Sequence, residues 1–253
     1  MVNLRPCIRY AAVLAVMGGL WKLTAIAMGG IILPYPEDAV TAFVSAAGTR
    51  LFWEHFGVSA YRAVAAMILA WGVAFPLGLL MGCVRKVDKL LAPFVFLTYP
   101  VPKIVLLPIF LLLFGLGDAA KIAMISLILG YQILVTTRDG VRAINPKYAD
   151  SVRSLGGSRW NVFREVLLPA ALPHGFTALR LGTGVSVAVL FFVESFATTR
   201  GLGYMIMDAW GAMDYLRMFT GIIAMSVMGA ALYELANLME RRACKWMFLR
   251  KKG

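Results

Sequence analysis

Six apolar runs, at about 10–31, 59–84, 91–114, 119–137, 172–195 and 217–239, constrain this chain of 253 residues more than any other feature. Each is near the length, roughly 20 residues, at which a helix crosses a hydrocarbon layer of ~30 Å. Lipid offers the backbone no hydrogen-bond partner, so runs of this kind span a membrane only as helices that satisfy their own N–H and C=O groups. Composition agrees: 60% of residues are hydrophobic and 15% charged, more apolar surface than a soluble core uses. The sequence therefore predicts an all-α integral membrane protein of about six transmembrane helices.

Orientation follows from lysine and arginine. Arg5 and Arg9 precede the first run, and Arg85, Lys86 and Lys89 follow the second. Arg138, Arg142, Lys147, Arg153, Arg159 and Arg164 fill the segment after the fourth, and Arg241, Arg242, Lys245, Arg250, Lys251 and Lys252 the tail. The opposite loops hold few cations, chiefly Arg50 and Arg200, so the bias places both termini and the 138–171 loop in the cytoplasm. That distribution accounts for the net charge of +12 and removes the nucleic-acid reading such a charge would suggest in a soluble chain. Arg5, Arg9 and the small-residue pattern Ala25-Ile26-Ala27 also fit a cleavable signal peptide. Trp21 and Lys22 carry the stretch past an ordinary signal core, which favours a retained helix. After it, Pro34 and Pro36 break the chain, and residues 37–56 read as a short amphipathic helix on the outer surface.

Inside the runs, Gly78 and Gly82 form a small-xxx-small pair suited to close helix packing. Pro76, Pro100, Pro102 and Pro108 are expected to interrupt the second and third spans, which marks the third as a candidate pathway wall. Lys103 lies about 12 residues into its run, hence ~18 Å deep if helical, and Glu194 lies near the outer end of the fifth. Intramembrane charges default to functional hypotheses, so Pro102, Lys103 and Glu194 are the candidate translocation-path residues; a structural pairing of Lys103 with Glu194 is the alternative. Arg180 and Lys22 are also candidates, though each can reach an interface with its long side chain.

Enzymatic chemistry finds no foothold. The phosphate loop G-x-x-x-x-G-K followed by Ser or Thr is missing, because no lysine here follows a glycine. His55 and His174 fall on opposite sides of the expected membrane, and Cys7, Cys83 and Cys244 share no metal-ligand spacing. No metal or cofactor is expected on this chain.

The segment from Asp150 to Pro173 reads as two short helices, 147–155 and 159–168, broken at Gly156-Gly157 and ended by Pro169 and Pro173. Composition alone allows a surface helix resting on headgroups equally well. The spacing, however, resembles the cytoplasmic signature of binding-protein-dependent ABC importer permeases: E-A-A, three residues, G, nine residues, a β-branched residue, one residue, L-P. Asp150, Ser151 and Val152 stand at the triplet, all three differing from E-A-A, followed by Gly156, Val166 and Leu168-Pro169. Leu33-Pro34-x-Pro36, Pro102-Lys103 through Pro108, Phe114-Gly-Leu-Gly117, and Glu194 followed by Gly201-Leu-Gly-Tyr204 resemble the nitrate, taurine and alkanesulfonate branch.

The resemblance implies a homodimer in the bacterial inner membrane, two ATPase subunits docked on the loops, ATP and Mg held by those partners, and a periplasmic solute-binding protein. Asp150 would pair with a basic group of the ATPase, while Ser154, Leu155 and Gly156 enter its surface groove. The implied layout is an N-terminal helix with a periplasmic segment over 1–58, a permease domain over 59–240 with its coupling loop at 146–169, and a basic tail over 241–253. A small anion would be the cargo. An ATP-independent carrier or channel is the rival class, and a purely structural anchor is disfavoured by the charges, prolines and glycines within the spans.

Overall fold

Backbone in lipid must satisfy itself, and the apolar runs do so as helices. In the computed structural model, which describes residues 4–30, 32–196 and 198–249, every regular element is helical. In chain order these are α1 Leu4–Ala27, α2 Pro36–Ala47, α3 Arg50–Cys83, α4 Arg85–Thr98, a 3-10 turn Lys103–Leu106, α5 Leu107–Phe114 and α6 Asp118–Arg142. There follow α7 Pro146–Ser154, α8 Arg159–Val162, a π-helical turn Phe163–Leu167, α9 Leu168–Glu194, α10 Leu202–Gly211, α11 Tyr215–Ala243 and α12 Lys245–Leu249. Ile31, at the end of the first apolar run, and the tail residues Arg250, Lys251 and Lys252 lie outside the described residues, as do the side chains of Arg5, Cys7 and Arg9.

Four helices among the described residues are long and apolar enough to cross a membrane: α3, α6, the continuous stretch Arg159–Glu194, and α11. A fifth crossing exists if α4 and the pair Lys103–Phe114 count as one span, but the two halves are bent by 88°. The apolar part of α1, Ala15–Ala27, is shorter.

Several expectations change here. Residues 37–56 are not one surface helix: α2 stops at Ala47, Gly48 caps it, and residues 50–56 are the first turns of α3. Pro76 does not interrupt its span; α3 runs through it at the loss of one ladder bond. The third apolar run is interrupted, as its prolines predict, and the break falls at 99–102. The second half of the 147–168 segment is not ended by Pro169. A π turn widens the helix just before Leu168-Pro169, with Leu168 N–H reaching the carbonyl of Phe163, so the missing proline N–H is absorbed and the chain continues into α9. The stretch between the fifth and sixth apolar runs, to which the sequence assigns no element, holds α10, Leu202–Gly211.

The chain forms two compact units, Met1–Ser59 with Glu194–Val227, and Ala60–Val193 with Met228–Gly253. In the first, Pro36 opens α2 and Glu37 and Asp38 sit in its first turn, favourable chemistry at the positive end of a helix. Lys22 of α1 bonds Glu37 at 2.8 Å, and this bond holds the Glu37 carboxyl below the usual carboxylate range. Trp21 stacks on Phe219 at 5.6 Å and donates its indole N–H to the Pro34 carbonyl at 3.1 Å.

In the second unit the predicted glycine pair has its partner. A Cβ at Gly78 would lie 2.5 Å from the Leu134 carbonyl oxygen, and one at Gly82 3.2 Å from that of Arg138, so α3 and α6 touch backbone to backbone. Trp71 of α3 stacks on Phe75 at 4.7 Å and meets Phe176 of α9 at 4.4 Å. These contacts bring α3, α6 and α9 together and fix the ends from which the knob α7–α8 projects.

Candidate functional site: an exposed knob and a broken span

The knob is built by local capping. Asn145 accepts the Lys147 N–H at 3.0 Å, and Pro146 at the first helical position supplies the φ that α7 needs. At its far end Gly157 N–H bonds the Val152 carbonyl and Gly156 N–H that of Arg153, both at 2.9 Å. This is a Schellman ending, which requires a left-handed residue, and Gly156 has φ +79°. Ser158 then opens α8 through a reciprocal box: Asn161 N–H donates to Ser158 Oγ, and Ser158 N–H to Asn161 Oδ1 at 3.2 Å.

The signature residues fall into two groups. Leu155 at the apex is 89% exposed, and Asp150, Ser154, Tyr148 and Trp160 are also exposed around it. Ser151, Val152, Val166 and Pro169 instead line an open cavity of about 690 Å³ behind the knob, shared with His174 and with Trp246 of α12. Leu168 is half-buried. Asp150 pairs with Arg153 one turn on, at 3.1 Å, an exposed pair of small energy that a stronger partner could replace.

The broken span shows why a lysine follows two prolines. Pro100 and Pro102 stop α4, which leaves its last carbonyls without donors. Lys103 reaches back with Nζ to the carbonyls of Thr98 at 3.2 Å, Tyr99 at 3.0 Å and Val101 at 3.4 Å. The ammonium thus sits at the negative end of α4, 4.0 Å above the Tyr131 ring of α6. Its depth of ~18 Å presumed a continuous helix, and the break removes that premise.

Glu194, 1% exposed, accepts the hydroxyl of Ser59 at 2.8 Å and the N–H of Gly203 at 2.9 Å. Ser59 Oγ also takes the Leu202 N–H at 2.7 Å, so the carboxylate and the hydroxyl together cap the start of α10. Gly201, at φ +123°, must be glycine: a Cβ there would lie 2.5 Å from the Glu194 carboxyl.

Buried ionic groups outside the sequence-derived set are equally plain. Asp88 of α4 is held by Arg138 and Arg142 of α6, Arg62 of α3 binds Asp118 at 2.6 Å, and Lys121 Nζ reaches the Leu116 carbonyl at 2.6 Å. Arg180, which the sequence does single out, lies 3.5 Å from Glu240. The i, i+4 spacing of Arg138 and Arg142 was the available signal for the first; Arg62 and Lys121 stood as charges inside the second and fourth apolar runs, the same signal that marked Lys103.

Known proteins give this geometry a context. The sequence profile of the family described as binding-protein-dependent transport system inner membrane component matches residues 74–244. The putative aliphatic sulfonates transport permease protein SsuC of Bacillus subtilis (strain 168) is 30% identical over 93% of this chain and 83% of its own length. The taurine transport system permease protein TauC of Escherichia coli (strain K12) is 30% identical over 92% of this chain and 87% of its own. An inward-facing conformation of the MetNI methionine ABC transporter has a chain of the same fold, with a TM-score of 0.65 over 76% of this chain and 96% of that chain at 16% identity. The profile covers more than half of the sequence and the relatives nearly all of it: this chain belongs to the family of inner-membrane components of binding-protein-dependent transport systems.

Proposed function

We propose that the chain is the permease of an importer for a small organic anion of the sulfonate or taurine kind. The carrying observation is the pair of 30%-identical relatives described as aliphatic sulfonate and taurine permeases, each matched over more than nine tenths of this chain. Two copies would form the path in the bacterial inner membrane, with six spans each and both termini in the cytoplasm. Two ATPase subunits would supply ATP, Mg and hydrolysis, and a periplasmic binding protein the solute. The partition 1–58, 59–240 and 241–253 belongs to the same reading.

In it, the knob enters the ATPase surface. Leu155 at the apex supplies the apolar contact, Ser154 and Gly156 flank it, and Asp150 exchanges Arg153 for a cation of the partner. Ser151, Val152, Val166, Leu168 and Pro169 hold the knob's shape from behind. Pro102, Lys103 and Glu194 act through the backbone elements they fix along the path, the broken span and the start of α10.

Uptake of radiolabelled taurine and of an alkanesulfonate, in cells making this chain with its ATPase and binding protein, tests the proposal. Uptake should require all three. Leu155→Asp should release the ATPase, since losing one buried leucine contact costs about 2 kcal/mol, roughly 30-fold in affinity. Uptake that persists with a hydrolysis-dead ATPase would replace this reading with the ATP-independent carrier.

A further inference from the structure

We infer that Asp88 is a positioning residue for transport: it clamps α4 to α6, so that movement of the α7 knob is delivered to the break in the span at 99–102. The inference rests on the reading of α7 as the ATPase-docking element.

Asp88 lies in the first turn of α4 and is 5% exposed. Both its oxygens are taken: Arg138 grips it through Nε and through NH2 at 3.2 Å, and Arg142, one turn further along α6, reaches it at 2.6 Å. The other arm of Arg138 holds Asp139 at 2.7 Å, and the ring of Phe96 lies 4.9 Å from its guanidinium carbon. A carboxylate held by two guanidiniums has little freedom to slide, because any displacement strands buried charge.

The opposite end of α4 is tied to the same helix. Thr98 Oγ1 and the Tyr131 hydroxyl are 2.8 Å apart, and Lys103, bonded to the last carbonyls of α4, sits over the Tyr131 ring. One helix is therefore pinned at both ends to another. α6 leads into α7 through residues 143–145 only. That junction is stiff: Ala143 N–H bonds the Asp139 carbonyl at 3.0 Å, Ile144 N–H that of Val141 at 3.3 Å, and Asn145 caps α7. The rigid series runs knob, α6, α4, break. Beyond the break the chain has turned by 88°, so the joint at 99–102 is where displacement of the series becomes a change of angle.

The test uses the complete transporter, this chain with its ATPase and binding protein, in proteoliposomes. Asp88→Asn should keep the ATPase bound and hydrolysing at its basal rate while uptake per ATP falls about 10-fold, within the usual range of coupling effects. Asp88→Glu should keep most of the uptake. If the single variant fails to assemble, Asp88→Asn with Arg138→Gln removes the unbalanced charge and should assemble with the same loss. Wild-type uptake per ATP in an assembled variant overturns the inference. So does failure of both variants to assemble, which would make Asp88 a folding residue only. Leu155→Asp in the same preparation reads the docking premise separately: an ATPase that stays bound and coupled in that variant sinks the premise, whatever Asp88 does.

Discussion

The thiol of Cys244 sits at the joint between α11 and α12, fully buried, and burial with Glu240 beside it pushes its pKa up to about 11. A raised thiol pKa keeps the neutral form, so at pH 7.5 roughly one thiol in a few thousand is the reactive thiolate. In a Cys7→Ser, Cys83→Ala background, maleimide at that pH should leave Cys244 unmodified until detergent unfolds the protein; rapid labelling of the native form would show that α12 peels away. Residues differ in how far sequence reveals them. Gly78 and Gly82 announce their contact, because two small residues a turn apart have few other uses in lipid. Asp88 is hidden among Arg85, Lys86 and Lys89, and its true partners lie 50 and 54 positions away. Lys103 was visible as a charge in an apolar run, but its role depends on where α4 ends.

At the scale of elements, the knob was legible since its capping is local: Asn145, Gly156 and Ser158 each act within a few residues. Its continuation into α9 was not, because two prolines read as a stop unless a π turn lies ahead of them. α10 was missed for the opposite reason, its cap coming from Ser59 and Glu194, which the sequence does not place beside Leu202. The knob also carries a prediction. A Cβ at Gly156 would meet nothing within 4 Å, so the demand there is for φ alone. Gly156→Leu should therefore cost about 1–2 kcal/mol of knob stability and lower ATPase retention, whereas Gly156→Asn, which tolerates the left-handed region, should stay near wild type. Equal loss in both, measured by co-purification of the ATPase, would locate the sensitivity in surface contact instead.

For the whole molecule, the six-span reading is checked by accessibility. Met213, 76% exposed in the turn after α10, and Gly48, after α2, should accept a periplasm-active reporter, and a reporter in the 143–145 junction should be active only in the cytoplasm. A cytoplasmic signal from Met213 would overturn the six-span reading. Apolar count carried the class and the spacing of the 150–169 signature the family resemblance from sequence alone, yet the third apolar run shows what they miss. α4, at 14 residues, is ~21 Å long and α5, at 8 residues, ~12 Å. Neither matches a hydrocarbon layer of ~30 Å, and at 88° their lengths do not add along one direction. Wherever such a broken span borders lipid, the bilayer thins or its acyl chains splay around it, and changing the bend alters that deformation. On the reading of this break as a moving joint, uptake per ATP is expected to change with acyl-chain length in proteoliposomes of defined thickness, without any lipid occupying a specific site.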